Sequence, residues 1–191
     1  KIGKKLVICP TWRTNQPHSD RKVVLLDPGM AFGTGHHPTT RMCLELIEET
    51  IKGDESVLDL GCGSGILSIT AVKMGAASSY GLEIQENAVK VARENCVSND
   101  VVDNVHIELG TLNNSSIKEG YDVVVANISS KEIVDLSESL VRSVKIGGHI
   151  ILSGILNEAL SDVEMAISIF QIKIEEVRRD GDWVAVLARK Y

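Results

Sequence analysis

The pattern of apolar and polar positions switches repeatedly between the period of a strand and the period of a helix. Short apolar runs bounded by glycine, proline or polar residues predict strands over residues 22–27, 56–60, 79–83, 105–109, 121–126, 148–153, 170–178 and 183–189. Apolar residues at three- and four-residue spacing predict helices over residues 38–51, 65–74, 85–98, 130–144 and 157–169. Residues 113–120 are polar and loop-like.

The order of these elements predicts how the chain is wound. Between residues 60 and 152 strands and helices alternate, which is typical of parallel strands joined by right-handed crossovers, with helices on both faces of one sheet. Asp180-Gly181 between the last two strands is a hairpin signal. We therefore predict an α/β fold with a Rossmann-like, doubly wound and mostly parallel sheet that ends in a C-terminal antiparallel hairpin.

The composition and charge of the chain argue against two classes of binding partner. The chain has 191 residues, a net charge of −6 and few aromatic residues. The acidic balance disfavours nucleic-acid binding, which usually needs a basic face, and the few aromatic residues leave little to build a surface on which bases stack. Its apolar runs are far shorter than the roughly 20 residues of a membrane span. We expect neither free nucleic acid nor a membrane as a partner. The four cysteines form no C-x-x-C pair, which favours reduced thiols of a cytosolic protein, with two disulfides as the alternative.

A glycine-rich turn follows the strand over residues 56–60 and opens the next helix. Its sequence is Asp59-Leu60-Gly61-Cys62-Gly63-Ser64-Gly65, and glycines allow a tight turn and close approach of the backbone to a ligand. A phosphate-binding P-loop would need a lysine after the last glycine, and a dinucleotide fingerprint would place that glycine one residue later. The pattern matches the acidic-x-G-x-G-x-G loop of S-adenosylmethionine-dependent methyltransferases. We predict that Asp59, Gly61, Gly63 and Gly65 bind this cofactor.

Glu83 strengthens that interpretation because it ends the next predicted strand. A carboxylate at that position can accept hydrogen bonds from both hydroxyls of a ribose at the switch point of the sheet. A solvated glutamate at a strand end is the alternative. Paired with the glycine-rich turn, Glu83 is predicted to bind the ribose of the cofactor.

A second motif, over residues 26–40, precedes the glycine-rich turn and reads L-D-P-G-M-A-F-G-T-G-H-H-P-T-T. Gly33 and Gly35 flank Thr34, so the segment can fold closely over a ligand, and Phe32 offers an apolar face. We predict that Phe32, Gly33, Thr34 and Gly35 cover the cofactor. The two histidines of the segment are adjacent in sequence and have no third ligand nearby, so we expect no metal site.

Asn127 follows the apolar run over residues 121–126, at the carboxyl edge where ligands bind in open α/β sheets. Methylation of an amine needs its lone pair in line with the departing sulfur, and an asparagine carbonyl can accept one N–H and help to fix that line. An asparagine that only makes a turn is the alternative. No Pro-Pro-aromatic sequence follows, so the motif typical of enzymes that methylate base amino groups is missing. We predict that Asn127 is the catalytic residue and also touches the cofactor.

These motifs together resemble the PrmA family, the methyltransferases of ribosomal protein L11. The resemblance rests on residues 26–40, residues 57–65, Ala126-Asn127-Ile128, Ile8-Cys9-Pro10-Thr11-Trp12 and Asp182-Trp183, and so extends over nearly the whole chain. It implies a class I enzyme of the cytoplasm that transfers methyl groups from S-adenosylmethionine to amines of a protein, here a ribosomal protein. It also implies cofactor contacts at Thr40, Gly61, Glu83 and Asn127.

The resemblance also suggests a domain layout, and it has departures. We expect one compact domain in which residues 1–37 form N-terminal strands and a cofactor-covering loop, and residues 38–191 form the methyltransferase domain. Family members usually carry a further N-terminal domain that recognises the ribosomal protein, and we expect only the catalytic part in this chain. Ser129-Ser130 and His36 differ from the family pattern. Two alternatives therefore stay open, a lysine methyltransferase of a non-ribosomal protein and a non-catalytic S-adenosylmethionine-binding module.

Overall fold

The computed structural model describes residues 1–12, 20–27, 35–112 and 120–191. In these residues the strands are β1 Leu6–Pro10, β2 Lys22–Leu26, β3 Ser56–Leu60, β4 Ser78–Glu83, β5 Val105–Leu109, β6 Tyr121–Asn127, β7 Val144–Leu156, β8 Ile172–Asp180 and β9 Trp183–Lys190. The helices are α1 Pro38–Thr50, α2 Ile66–Met74, α3 Glu86–Ser98, α4 Ser130–Asp135, α5 Ser137–Ser143 and α6 Leu160–Ser168. None of these helices has the length and apolar character needed to cross a membrane.

The main sheet has the strand order β5-β4-β3-β6-β7-β9-β8. The strands from β5 to β7 pair in parallel, whereas β9 pairs antiparallel to both β7 and β8. This confirms the predicted doubly wound sheet with a C-terminal antiparallel hairpin. The chain leaves β3 toward β4 and later returns to β6 on the other side of β3, so the switch point lies between the carboxyl ends of β3 and β6.

The sheet is buried on both faces, which explains why its central strands are continuous apolar runs. Along β6, Val123 and Val125 belong to the core shared with α1, α2 and α3, while Val124 and Ala126 belong to the core shared with α4, α5 and α6. Strands β1 and β2 form a separate parallel pair. That pair packs on α2 and α3, so it adds a third layer above the first core.

Several predicted boundaries differ from the structure. The single helix expected over residues 130–144 is two helices, divided at Leu136. Neither proline nor glycine marks the division in the sequence. Helix α4 packs mainly on α6, and α5 packs on β7, α6 and β6. Strand β7 begins at Val144 rather than at residue 148, since a register shift against β6 accommodates the intervening residues. Helix α6 begins only after a short 3-10 turn, Asn157–Ala159. Residues 113–119 of the predicted loop lie outside the described residues.

Gly154 forms an irregularity in β7 beside the end of β6. Its φ is +86°, and the β7–β9 register shifts between Ser153 and Ile155. A Cβ on Gly154 would lie 2.0 Å from the Ile128 carbonyl oxygen. The backbone that follows Asn127 therefore passes through space that only glycine leaves open.

We expect Gly154→Ala to destabilise the protein much more than Gly147→Ala. Both glycines lie in β7 at nearly equal positive φ, +86° and +83°, but a Cβ on Gly147 would meet nothing within 4 Å. Gly147→Ala should lower the free energy of unfolding by about 1 kcal/mol, the cost of a left-handed alanine. Gly154→Ala should cost about 3 kcal/mol or more because backbone must also move. Urea denaturation of both variants measures the difference, and equal losses would contradict the close packing of Ile128.

Candidate active site

The glycine-rich turn lies at the switch point, as predicted, between β3 and α2. Gly61, Gly63 and Gly65 have φ values of +70°, +52° and +79°, a region that strongly favours glycine. Two of them are also needed for space. A Cβ on Gly61 would lie 2.5 Å from Ile128 Cγ2, and one on Gly65 would lie 3.2 Å from Ala92 Cβ. The turn is therefore confined by the residue after β6 on one side and by α3 on the other.

The amide groups of this turn are used within the protein. The N–H groups of Gly61 and Cys62 both donate to the Leu82 carbonyl, at 2.8 and 3.0 Å. The Gly63 N–H donates to Glu83 Oε2 at 3.0 Å, and the Gly65 N–H donates to the Cys62 carbonyl at 2.8 Å. A phosphate-binding loop needs its N–H groups free to face the anion. In this turn, by contrast, the N–H groups of Gly61, Cys62 and Gly63 donate to residues of β4, and the N–H of Gly65 donates within the turn.

Asp59 lies beneath the turn and is fully buried. Its Oδ2 accepts from the Ser68 N–H at 3.0 Å and from the Ser68 hydroxyl at 2.7 Å, so the carboxylate occupies the N-terminus of α2. Within the described part of the chain, Oδ1 has no hydrogen-bond partner. The pKa of Asp59 is raised to about 6, because burial and, to a smaller extent, the charge of Glu83 outweigh the Ser68 bonds, which lower it. The predicted role of Asp59 in cofactor binding stays a prediction.

Glu83 ends β4 beside the turn and is 7% exposed. One carboxylate oxygen accepts from Gly63 N–H and the other accepts from the Gln85 N–H, each at 3.0 Å. A carboxylate has about four acceptor positions, so each oxygen retains one. Glu83 therefore shapes the glycine-rich turn and keeps two acceptors side by side for a ligand. Ile84, which follows it, exposes an apolar side chain at the same edge.

Asn127 and Thr40 are brought together although they are 87 residues apart. Asn127 Nδ2 donates to Thr40 Oγ1 at 3.3 Å. Thr40 is buried in the first turn of α1, and His37 caps that helix by accepting from the Thr39 N–H through Nδ1 at 3.4 Å. The His37 ring meets Trp183 of β9 edge-on, with centroids 4.9 Å apart. With Nδ2 engaged, Asn127 has its Oδ1 as a further acceptor.

The motif over residues 26–40 is described only in part. Phe32, Gly33 and Thr34 lie outside the described residues, so their predicted cofactor contacts stay predictions. Gly35 is buried at φ +79°, and a Cβ there would lie 3.3 Å from Ile66 Cδ1. The end of the motif therefore rests against the first residue of α2. His36 is exposed, and the described residues contain no group of three or more His, Cys, Asp or Glu side chains placed to hold a metal ion.

The cysteines near the turn are buried free thiols. Burial raises the pKa of Cys43 to about 12 and raises that of Cys62 as well, so both stay protonated at neutral pH. Protonated buried thiols are poor nucleophiles. This agrees with the interpretation of Cys62 as a small apolar residue inside the turn, where it belongs to the core.

The sequence-based prediction missed several residues that build the site. Ser68 binds Asp59, Ile128 packs against the turn, and Asn95 of α3 donates from Nδ2 to the Ser64 carbonyl at 2.9 Å. The sequence did contain a signal for Asn95, because this polar residue lies three positions after Ala92 on the apolar face of an amphipathic helix. Ser68 had none, and Ile128 was noted only as part of the Ala126-Asn127-Ile128 motif, since the roles of both depend on contacts with other elements.

Comparison with known proteins first defines the class. The structure resembles the solved RNA methyltransferase of Salinibacter ruber in complex with S-adenosyl-L-homocysteine, with a TM-score of 0.63 and 20% identity over 79% of this chain and 92% of that one. At this identity the likeness shows the fold alone, and that fold is the class I methyltransferase fold. The structure of this chain also matches that of a ribosomal protein L11 methylase of Lactobacillus delbrueckii subsp. bulgaricus, with a TM-score of 0.89 and 30% identity over 100% of this chain and 97% of that one.

The chain belongs to the PrmA family, whose model, described as ribosomal protein L11 methyltransferase, matches residues 1–191. Curated relatives of that name are 43% identical over all of this chain in Pelobacter propionicus and 46% identical over 98% of it in Geobacter metallireducens. The resemblance noted from the motifs is thereby confirmed. The chain spans 62% and 61% of the length of these two relatives.

The raised pKa of Asp59 predicts an unusual pH dependence of stability. The unfolded carboxyl loses its proton near pH 3.8 and the folded one near pH 6, so between these values the folded state binds more protons and rising pH favours unfolding. Asp59→Asn removes this effect. We expect its free energy of unfolding, relative to wild type, to rise by about 2 kcal/mol between about pH 4 and about pH 7.

Asp122→Asn provides a control in which the pKa shift has the opposite sign. Burial opposes ionisation of Asp122, but hydrogen bonds from Ser56 and the charge of Lys145 outweigh it and lower the pKa. Asp122 therefore stabilises the fold above its unfolded pKa of 3.8, and this contribution is lost only as pH falls below that value, so the difference between Asp122→Asn and wild type should change little between about pH 4 and about pH 7. Urea denaturation at both pH values measures both variants. A flat difference between Asp59→Asn and wild type would show that Asp59 ionises normally in the folded protein.

Proposed function

We propose that this chain is the catalytic part of an S-adenosylmethionine-dependent protein methyltransferase that methylates amines, lysine side chains among them, of ribosomal protein L11 in the cytoplasm. Family membership over the whole chain supports the substrate, because the curated relatives carry that name. One observation supports the cofactor above all. The glycine-rich turn gives its N–H groups to β4 and to itself, while Glu83 keeps acceptors at its rim.

The residues present fit this cofactor by charge as well as by shape. Asp59 and Glu83 place two carboxyl groups around the turn, close enough for the charge of one to raise the pKa of the other. Such a site favours a cation over a pyrophosphate. Glu83 would accept from the two ribose hydroxyls, and Ile84 would offer an apolar surface to the base. S-adenosylmethionine supplies the methyl group on a positively charged sulfur.

Asn127 would orient the incoming amine. Thr40 holds Nδ2, which leaves Oδ1 to accept one N–H of the amine and so to fix the direction of its lone pair. A lysine amine must first lose a proton, with an unperturbed pKa near ~10.4. We assign no general base, since Asp59 is buried beneath the turn, and bulk water receives the proton.

The departure from the family pattern at Ser129 has a local reason. Ser129 begins α4 with a capping box in which its hydroxyl accepts from the Glu132 N–H at 3.3 Å and the Glu132 carboxylate accepts from the Ser129 N–H at 3.1 Å. The side chain is engaged in ending a loop and starting a helix. This departure therefore does not argue against a ribosomal substrate.

Transfer of a radiolabelled methyl group tests the proposal directly. The protein is incubated with labelled S-adenosylmethionine and either purified ribosomal protein L11 or a lysate of cells that lack the enzyme, and amino-acid analysis of the product identifies methyl-lysine. We expect labelled L11. In a separate binding measurement, we expect Glu83→Ala to weaken S-adenosylhomocysteine binding roughly tenfold or more. A different labelled band indicates a non-ribosomal target. Tight cofactor binding without any label indicates a binding module, and label on L11 without methyl-lysine refutes the lysine acceptor alone.

Asn127→Ala should lower turnover more than cofactor affinity. Its contact with the amine contributes mainly in the transition state, so kcat at saturating cofactor should fall roughly tenfold or more. The Kd for S-adenosylhomocysteine should change by much less. Thr40→Val, which removes the partner of Nδ2, should lower kcat in the same direction, and Thr40→Ser, which keeps the hydroxyl, should restore it. Normal turnover by Asn127→Ala would mean that another group orients the amine.

A further inference from the structure

Two asparagines of α3 take the place of a neighbouring strand at the edge of β2. Asn99 Oδ1 accepts from the Leu25 N–H at 2.9 Å, and its Nδ2 donates to the Leu25 carbonyl at 2.6 Å. Asn95 makes the same pair of hydrogen bonds to Asp27. Its Oδ1 accepts from the Asp27 N–H at 3.0 Å, and its Nδ2 donates to the Asp27 carbonyl at 3.4 Å. Each carboxamide thus mimics a peptide group.

The spacing explains why this works. Four residues of helix rise about 6 Å, and two residues of strand rise about 6.6 Å. Asn99 and Asn95 of the helix therefore match Leu25 of β2 and Asp27, the residue after that strand, in extended chain that runs alongside. Both asparagines are almost fully buried. Among the described residues β2 pairs with β1 alone, and the asparagine bonds satisfy backbone groups on its other side.

Asn95 differs from Asn99 in one contact. The third bond of Asn99 goes to the carbonyl of Asn95 in its own helix, at 2.8 Å. The third bond of Asn95 goes to the Ser64 carbonyl in the glycine-rich turn, at 2.9 Å. Asn95 is thus a single buried side chain that joins α3, the residue after β2 and the turn.

The Ser64 contact fixes a peptide group that the turn depends on. The Ser64 carbonyl belongs to the same peptide as the Gly65 N–H, which donates to the Cys62 carbonyl and closes the turn. Ala92, one turn earlier on α3, confines Gly65 from the same side. If the Ser64 carbonyl loses its buried donor, that peptide can rotate, and the hydrogen bonds of Gly65 and Gly63 weaken with it.

We propose that Asn95 is a positioning residue for the cofactor site, which holds the glycine-rich turn in its binding conformation against the end of β2. The inference rests on the proposed function for the identity of the ligand. Asn95 touches no reacting group and acts through Ser64. It couples the small β1–β2 layer to the site, so a disturbance of that layer is transmitted to cofactor affinity.

Asn95→Ala and Asn99→Ala form a matched pair that tests this inference. Each removes one buried carboxamide with three hydrogen bonds from the same helix, so both should lower the free energy of unfolding by similar amounts. Only Asn95→Ala should raise the Kd for S-adenosylhomocysteine, by roughly tenfold, whereas Asn99→Ala should stay within about twofold. Isothermal titration at a temperature where both variants are folded measures the Kd. If Asn95→Ala does not fold, the Kd of Asn95→Ser is measured in its place.

Amide hydrogen exchange without ligand separates the inference from the proposed function. We expect faster exchange at Gly63 and Gly65 in Asn95→Ala than in Asn99→Ala, whatever the ligand is. Equal exchange in the two variants, or an equal loss of affinity in both, would overturn the positioning role and leave the methyltransferase proposal intact. Absence of S-adenosylhomocysteine binding by the unaltered protein would instead overturn the proposed function, while the exchange result would still decide the role of Asn95.

Discussion

The turn from β3 into α2 has to satisfy its own amide groups in a space too narrow for side chains. Ile128 closes one side of it and Ala92 closes the other. Positive φ at the glycines lets the chain turn there, and the N–H groups of Gly61, Cys62 and Gly63 then point toward β4, where Leu82 and Glu83 accept them. This requirement fixes the ends of β4, β3 and β6, which are neighbours in the sheet, relative to one another. The positions of Glu83 and Asn127 at the rim of the site follow from it.

The same turn settles the electrostatics of the site. The N-terminus of a helix attracts negative charge, and in many nucleotide-binding proteins a phosphate meets that preference. Here a side chain of the protein, Asp59, lies at the N-terminus of α2 and bonds to Ser68. With Glu83 nearby, the local charge is negative when both carboxyl groups are ionised. A ligand with positive charge and hydroxyl donors suits this site, and a pyrophosphate does not.

The C-terminal hairpin has a role beyond extending the sheet. Arg178 of β8 forms ion pairs with Glu45 and Glu49 of α1, at 3.5 and 2.8 Å, and Trp183 of β9 meets the His37 cap of the same helix. Helix α1 carries Thr40, and Thr40 binds Asn127. The antiparallel addition to a parallel sheet therefore helps to hold the residue that orients Asn127. Ion pairs that are partly open to solvent contribute little individually, so the packing of Trp183 and the buried side of α1 carry most of this effect.

The sequence by itself determined the winding of the sheet, the glycine-rich turn and the placement of Glu83 and Asn127 at strand ends. These features depend on period and on positive φ, which are properties of short segments. Tertiary structure alone decided the division between α4 and α5, the irregularity at Gly154, and the bonds of Ser68 and Asn95. Asn95 meets Ser64 across 31 residues and Asn99 meets Leu25 across 74. A buried amide makes such bonds only where folding brings an unpaired backbone group to it, and no local pattern specifies which group that is.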